Sequence, residues 1–373
     1  MDNFNYIDII LLLGVSQGIF LSITLLFVRE KNGPANTILA LQLIMACFML
    51  VSRIGLYKIH DFSIIKWLFL IEPFIFICGP LGYVYLKRLL IRDSQKFNLP
   101  WYHYLPSVIY FFYLILILQY NGVTYKNKYF AGDFTIPFFI AEVGALISNL
   151  IYLYLCGKLL LYYKENEKEQ LSFNQKTISF LRTIYITVAL ILLAWMLNFI
   201  STTLFRYNIS VISYNSIWIG VCILIYIIGF YALLQPEIFR VLISKELQKK
   251  TYKNRIGEKE ISELKLQLEQ LMDVEKIYLN NELTLINLAN ALNTSTNDIS
   301  WLLNNEYHTN FYDFINQYRI EAFLEKIEKK EHKTQTLLSL SMDVGFNSKS
   351  TFNKAFKATL QQTPTSYIKS RIV

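Results

Sequence analysis

The stretch LTLINLANALNTSTNDIS, residues 283–300, decides how the C-terminal part of this chain folds. Leu285, Leu288, Ala289 and Leu292 recur at helical spacing and make one apolar stripe. Asn293–Thr294 ends that helix, and Ser295 suits the N-cap of the next, with Asp298 at its third position in a box-like arrangement. Ile299, Leu302 and Leu303 are the inward positions of the second helix. Helix, tight turn, helix is the pattern of a helix-turn-helix.

Working outward, a longer amphipathic helix is expected at about Tyr312–Lys329, and the pattern then recurs. Leu337, Leu338, Leu340 and Val344 stripe one helix, Gly345 can take the left-handed C-cap conformation, and Phe346 anchors the turn. Ser348 can cap the last helix, on which Phe352, Ala355 and Phe356 face in. Its outward set is Lys349, Ser350, Asn353, Lys354 and Lys357. Amide, hydroxyl and ammonium groups on one helix face suit base edges and phosphates in a major groove, which makes double-stranded DNA the expected partner. The groove candidates on the first unit are Thr296, Asn297, Ser300, Trp301 and Asn304. Charge separates the two. Residues 282–313 hold four acidic side chains and no Lys or Arg, whereas residues 345–373 hold five Lys and Arg and no acid. Phosphate neutralisation supplies most non-specific affinity, so the second unit is expected to carry the electrostatic grip.

The rest of the chain is of another kind. Of 373 residues, 54% are hydrophobic and 17% charged, against about 25% charged in an average soluble domain. A wholly soluble or disordered chain is thereby excluded. Crossing a bilayer as a helix takes about 20 apolar residues. Seven such runs precede residue 236: Ile7–Val28, Thr37–Leu56, Trp67–Leu86, Tyr104–Gln119, Thr135–Leu155, Phe180–Phe205 and Ile212–Leu234. The first has no Lys or Arg before it and is longer than the apolar core of a signal peptide. With the N-terminus outside, the inner flanks hold 11 Lys and Arg and the outer flanks 5, which satisfies the positive-inside rule and leaves the tail in the cytoplasm of a bacterial-type inner membrane. The expected fold is all-α: a seven-helix membrane region at 1–236, an amphipathic connector at 237–281, and a double helix-turn-helix at 282–373.

Glu72 and Glu142 lie inside apolar runs, as does Arg53 near the end of one. Carboxylates at membrane depth are costly and usually face a cavity or a partner, so Glu72 and Glu142 are candidates for binding an unknown signal ligand, or for gluing helices together. In the connector, Ile261, Leu264, Leu268 and Leu271 are spaced 3, 4 and 3, and Tyr278 continues the series. This short seam fits a homodimer through 261–278 and fits equally a helix packing on the following domain. Lys245, Lys249, Lys250, Lys253, Arg255 and Lys259 form a basic juxtamembrane stretch suited to anionic membrane lipid. Cys47, Cys78, Cys156 and Cys222 all fall in apolar runs, without disulfide or metal spacing. No Walker loop, GxSxG or HExxH occurs and the four histidines do not cluster, so neither enzyme activity nor a cofactor or metal is expected.

LTLINLANALNTSTNDIS resembles the first helix-turn-helix of AraC-type transcription regulators, and VGFNSKSTFNKAFKATLQQTP (344–364) resembles the second, with its GF, its FxxxFK and its terminal TP. NFYDFINQYRIEAF (310–323) is similar to the helix that joins them. GPLGYVYLKRLL (79–90), HYLP (103–106) and GFYALLQPEIF (229–239) resemble a subgroup with a multi-span N-terminal region. The resemblance implies a membrane-bound, sequence-specific transcription regulator. The reading that competes with it is a transporter or channel with a regulatory, protein-binding tail. The family often has glycine where His308 and Gln361 stand and Arg where Trp301 stands. Without those glycines, water or a tightened last turn is expected to cap the two recognition helices.

Overall fold

Among the described residues, seven helical stretches have the length and apolar composition to cross a membrane: Tyr6–Phe27, Gly33–Lys58, Phe62–Leu90, Trp101–Leu118, Thr135–Glu165, Ile178–Thr203 and Tyr214–Leu234. The structure is a computed structural model that describes residues 5–27, 33–91, 96–172, 176–203, 205–207, 214–234 and 258–371. Among the described residues the regular structure is helical, with one isolated bridge between Leu171 and Thr284, so the fold is all-α as expected. Arg29, Lys31 and Arg92 of the orientation count lie outside the described residues, as do Lys245, Lys249, Lys250, Lys253 and Arg255 of the connector.

The chain divides into two compact units, Met1–Leu161 with Lys176–Glu246, and Tyr162–Gln175 with Leu247–Val373. The second unit thus includes a piece from between the fifth and sixth spans. The helices of the first are α1 (Tyr6–Phe27), α2 (Gly33–Lys58), α3 (Phe62–Leu68), α4 (Phe74–Leu90), α5 (Leu105–Leu118), α6 (Gly122–Ala131), α7 (Thr135–Gln170), α8 (Lys176–Thr203) and α9 (Tyr214–Leu234). The last turns of α7 belong to the second unit. α1 packs on α2 and α9, α2 on α4, and α8 on α9. Gly18 lets α1 come close to α2: a Cβ there would lie 2.5 Å from the Cys47 sulfur. Small residues at crossings are how membrane helices gain van der Waals contact. The free thiols of Cys47, Cys156 and Cys222 are buried.

The third span is broken, which its apolar run does not announce. α3 stops at Leu68, a tight turn covers Phe69–Ile71, and α4 resumes after Pro73, which has no N–H to donate. Backbone carbonyls freed in a bilayer need donors from within the protein. Ser52 donates to the Leu68 carbonyl at 2.9 Å, Ser107 to that of Pro73 at 2.8 Å and Asn149 to that of Ile75 at 3.0 Å. An aromatic core that includes Phe76, Tyr110, Tyr125, Phe134 and Trp195 surrounds the break.

In the second unit α10 (Glu258–Asp273), α11 (Leu285–Ala291), α12 (Thr296–Asn305), α13 (Phe311–Glu328), α14 (Leu337–Asp343), α15 (Lys349–Leu360) and α16 (Pro364–Arg371) build two cores. One gathers Leu268, Leu288, Ile299 and Leu302, the other Leu340, Phe346, Phe352 and Phe356. α13 serves both, with Phe311 and Ile315 in the first and Ile320 and Phe323 in the second. Leu264, Leu268, Leu271 and Tyr278 are buried in the first core, with Ile261 packed against it. Of the two uses that the connector spacing left open, these side chains adopt packing on the following domain.

Candidate nucleic-acid interface

Each unit begins with a short capped helix. Thr284 caps α11 through a reciprocal box with Asn287, and Thr336 caps α14 by accepting from the Ser339 N–H. Each first helix ends on a left-handed residue, Asn293 at φ 49° and Gly345 at φ 97°. The second helices start under side-chain caps. Ser295 accepts from the Asp298 N–H and Ser348 from that of Thr351, which satisfies one orphan donor of each first turn. The caps foreseen at Ser295 and Ser348 are therefore present, which gives Ser348 a structural task beside any contact with DNA.

On α15 the structure exposes Lys349, Ser350, Asn353, Lys354 and Lys357 and buries Phe352, Ala355 and Phe356. The Lys354 ammonium sits 5.7 Å from the Tyr312 ring centroid, a cation–π contact that aims it along the surface of α13. On α12 only Asn304 of the candidates is fully exposed, whereas Thr296, Asn297, Ser300 and Trp301 are half-buried. Trp301 packs against the first core, so its ring serves packing at the same time. The acidic character of this unit is partly answered from α10, where Lys265 pairs with Glu306 at 2.5 Å.

Glu169, in the last turn of α7, lies against the first recognition helix. Its Oε2 accepts from the Ser300 hydroxyl at 3.5 Å and from the Asn304 amide at 3.4 Å. Two residues that sequence reading places toward DNA thus face a carboxylate from between two spans.

Three residues further on, that segment is fastened to the fold. Ser172 donates both its N–H, at 3.3 Å, and its hydroxyl, at 2.8 Å, to the Leu283 carbonyl. Arg319 of α13, fully buried, donates Nη1 to the Ser172 carbonyl at 3.0 Å and Nη2 to its hydroxyl at 3.1 Å. Its remaining bonds run from Nε to the Tyr278 carbonyl at 2.8 Å, from Nη2 to that of Asn280 at 2.7 Å and from Nη1 to the Asn316 Oδ1 at 3.1 Å. A guanidinium has five N–H donors in a rigid fork, and here five bonds go to neutral acceptors. Burial lowers its pKa to about 10, so it stays charged at neutral pH. Its carbon lies 5.8 Å from the centre of the Phe346 ring. A Cβ on Gly345 would press on the Tyr278 carbonyl and come 3.0 Å from the Arg319 Nε. One side chain therefore ties the turn of the second unit, the entry to the first and the Ser172 segment together. Sequence reading missed Arg319 as a hub. The signal was its place in the stripe Phe311, Ile315, Arg319, Phe323, where a charge interrupts apolar residues every fourth position.

The caps after the recognition helices differ from expectation. His308 has φ 52° and Gln361 φ 56°, so both take the left-handed conformation that glycine takes at little cost. Neither water nor a tightened turn is needed, since the backbone closes as it would with glycine: the Gln361 N–H bonds the Lys357 carbonyl at 3.0 Å.

In the first unit Glu72 accepts from the Tyr110 hydroxyl at 2.6 Å, and Glu142 accepts from Trp195 Nε1 at 3.1 Å and from the Tyr214 hydroxyl at 2.6 Å. Each membrane-depth carboxylate thus meets donors from neighbouring spans. Among the described residues no three His, Cys, Asp or Glu side chains converge on a metal-sized site.

Two tandem helix-turn-helix units joined by one long helix define a DNA-binding domain. Residues 288–370 match the family model described as "Helix-turn-helix domain", and this part of the chain is a helix-turn-helix domain of the AraC type. Comparison with the curated proteins finds no match, and comparison with the solved structures finds none either.

Proposed function

We propose that the chain is a membrane-bound, sequence-specific transcription regulator whose spans sense a signal and whose helix-turn-helix domain answers it on DNA. The observation that carries this reading is the place of residues 162–172. They continue the helix of the fifth span in sequence, yet they fold within the DNA-binding unit, with Glu169 on the first recognition helix and Ser172 on Arg319. A signal that binds two states of the spans with different affinity shifts their balance, and this segment is the covalent route by which the shift reaches α12. Withdrawal of Glu169 frees Ser300 and Asn304 for base edges and removes a negative charge from the path of the phosphates. With the N-terminus outside, as the flanking charges favour, the tail lies on the cytoplasmic side with the DNA. On DNA, Lys349, Lys354 and Lys357 take phosphates, while Ser350 and Asn353 on α15 and Thr296, Asn297, Ser300, Trp301 and Asn304 on α12 face the groove. Glu72 and Glu142, each bonded across spans, hold the bundle together under this reading.

Crosslinking of the tagged full chain to the genome tests the proposal. Enrichment at a few promoters is expected, and Glu169→Gln, which removes the charge and keeps the size, is expected to raise occupancy there several-fold. Absence of site-specific enrichment defeats the reading. A reporter fused after Gln235 is expected to be active only as a cytoplasmic reporter, and a periplasmic signal there would overturn the orientation.

A further inference from the structure

The break in the third span sets one membrane-depth carboxylate beside another. Glu72 lies at the break and Glu142 on α7, close enough that each opposes the charge of the other. The Tyr110 hydroxyl donates to the Glu72 Oε2 at 2.6 Å. The Tyr214 hydroxyl donates to the Glu142 Oε1 at 2.6 Å and lies within electrostatic reach of Glu72 as well. These donors are neutral, as is Trp195 Nε1, which also serves Glu142. Among the described residues no Lys, Arg or His forms an ion pair with either carboxylate. Glu72 lies deep among the helices yet is only half-buried, so it borders an interior space. An independent observation points to the same place. Tyr125 of α6 is 1% exposed, its hydroxyl has no hydrogen-bond partner, and that hydroxyl lies within electrostatic reach of Glu72. A buried phenol without a partner is costly, and so are two buried carboxylates without a cation.

We propose that this space binds one sodium ion, held by Glu72, Glu142 and the Tyr125 hydroxyl oxygen. Carboxylate and phenol oxygens are hard ligands and suit hard cations. Calcium takes about six to eight such oxygens, and magnesium keeps several waters. Among the described residues no third carboxylate joins the pair, and the aromatic core of Phe76, Phe134 and Trp195 leaves little room for a hydration shell. A small monovalent ion fits that thinner set. Helices broken at membrane depth build sodium sites in transporters, since irregular backbone is tolerated there where it lines a cavity. The neutral donors of Tyr110, Tyr214 and Trp195 answer the charge that one monovalent ion leaves. That sodium is the signal rests on the sensor reading above; that it binds does not.

The test uses the full chain in detergent micelles without DNA, so that failure of binding and failure of DNA recognition are read separately. Equilibrium dialysis with radioactive sodium, in neutral and in alkaline buffer, is expected to show saturable binding of one ion per chain. Unlabelled sodium should displace it, while choline at the same ionic strength should not. Glu142→Gln, which keeps the size and an acceptor for Trp195 and Tyr214, is expected to weaken binding at least tenfold. Tyr125→Phe keeps the buried ring and removes the hydroxyl alone. It is expected to weaken binding several-fold while unfolding, in sodium-free buffer, at the same temperature as the parent chain. A tyrosine that only packs would leave sodium affinity unmoved. Absence of saturable binding in both buffers, equal displacement by choline, tighter binding of calcium than of sodium, or unchanged affinity in Tyr125→Phe would overturn the proposal.

Discussion

Asn293 and Gly345 hold the same place in the two helix-turn-helix units, the left-handed residue after the first helix. Their surroundings differ. Gly345 is pressed against the Tyr278 carbonyl and Arg319, whereas Asn293 is exposed. The recognition helices differ as much: α15 presents three exposed lysines, while α12 presents half-buried polar groups with a carboxylate against them. One plan thus serves two ends. The second unit turns cations outward on its recognition helix, and the first holds a carboxylate against its own.

The strongest way to break this comparison is at the residue that joins the two units. Arg319→Ala removes five hydrogen bonds and leaves buried acceptors such as the Tyr278 carbonyl without their Arg319 donor, at about 1–3 kcal/mol for each group left unsatisfied. Hydrogen exchange on the full chain is expected to speed up in α11–α12 and in α14–α15 together. Loss of protection in one pair alone would show that Arg319 does not couple them. Next comes the turn. Gly345→Ala forces a side chain into left-handed backbone, at about 1–2 kcal/mol, before its clash with Tyr278 is counted. Asn293→Gly is expected to be near neutral, and thermal unfolding of the two variants checks the contrast.

The contrast on DNA is sharper in kind than in size. Asn353→Ala is expected to relax preference at one base pair by about 1–3 kcal/mol. Lys354→Ala is expected to weaken binding to every sequence and to lower the salt slope by about one. Asn297→Ala is expected to change sequence preference with the salt slope unmoved, because no Lys or Arg occurs in 282–313. Salt titrations of the full chain on DNA measure all three, and an equal loss of slope for Lys354→Ala and Asn297→Ala would end the division of labour. The smallest effect is at the caps. His308→Gly and Gln361→Gly relieve left-handed strain and are each expected to stabilise by about 1 kcal/mol or less.

The recurrence of apolar residues was enough to read both helix-turn-helix units, since Leu285, Leu288, Ile299, Phe352 and Phe356 all point into cores that α13 shares. The exposed face of α15 was legible for the same reason, because burying Phe352 and Phe356 turns Lys349, Asn353 and Lys357 outward. Two things were not legible. The break at Pro73 depends on Ser52, Ser107 and Asn149, donors from other spans that no local pattern links to it. The docking of Ser172 and Glu169 joins residues more than 100 positions apart, and a serine and a glutamate in a charged loop carry no periodic signal.

Ser172 also bears on how this domain could be made and unmade. It leaves the ribosome 111 residues before Leu283, the residue whose carbonyl it bonds. One piece of the domain is therefore made before the rest, and the fold can close around it only once Leu283 and Arg319 have been translated. A protease cutting between residues 236 and 258 would separate the domain from the last span but leave Ser172 behind on the membrane side. Arg319 would lose its bonds to that residue in the liberated fragment. Regulation by proteolytic release, a route open to a domain hung on a single tether, would here deliver an incomplete domain. Under the proposed function, the interleaved chain would instead keep the reader of DNA at the membrane, and its target genes would have to come to the envelope to be read.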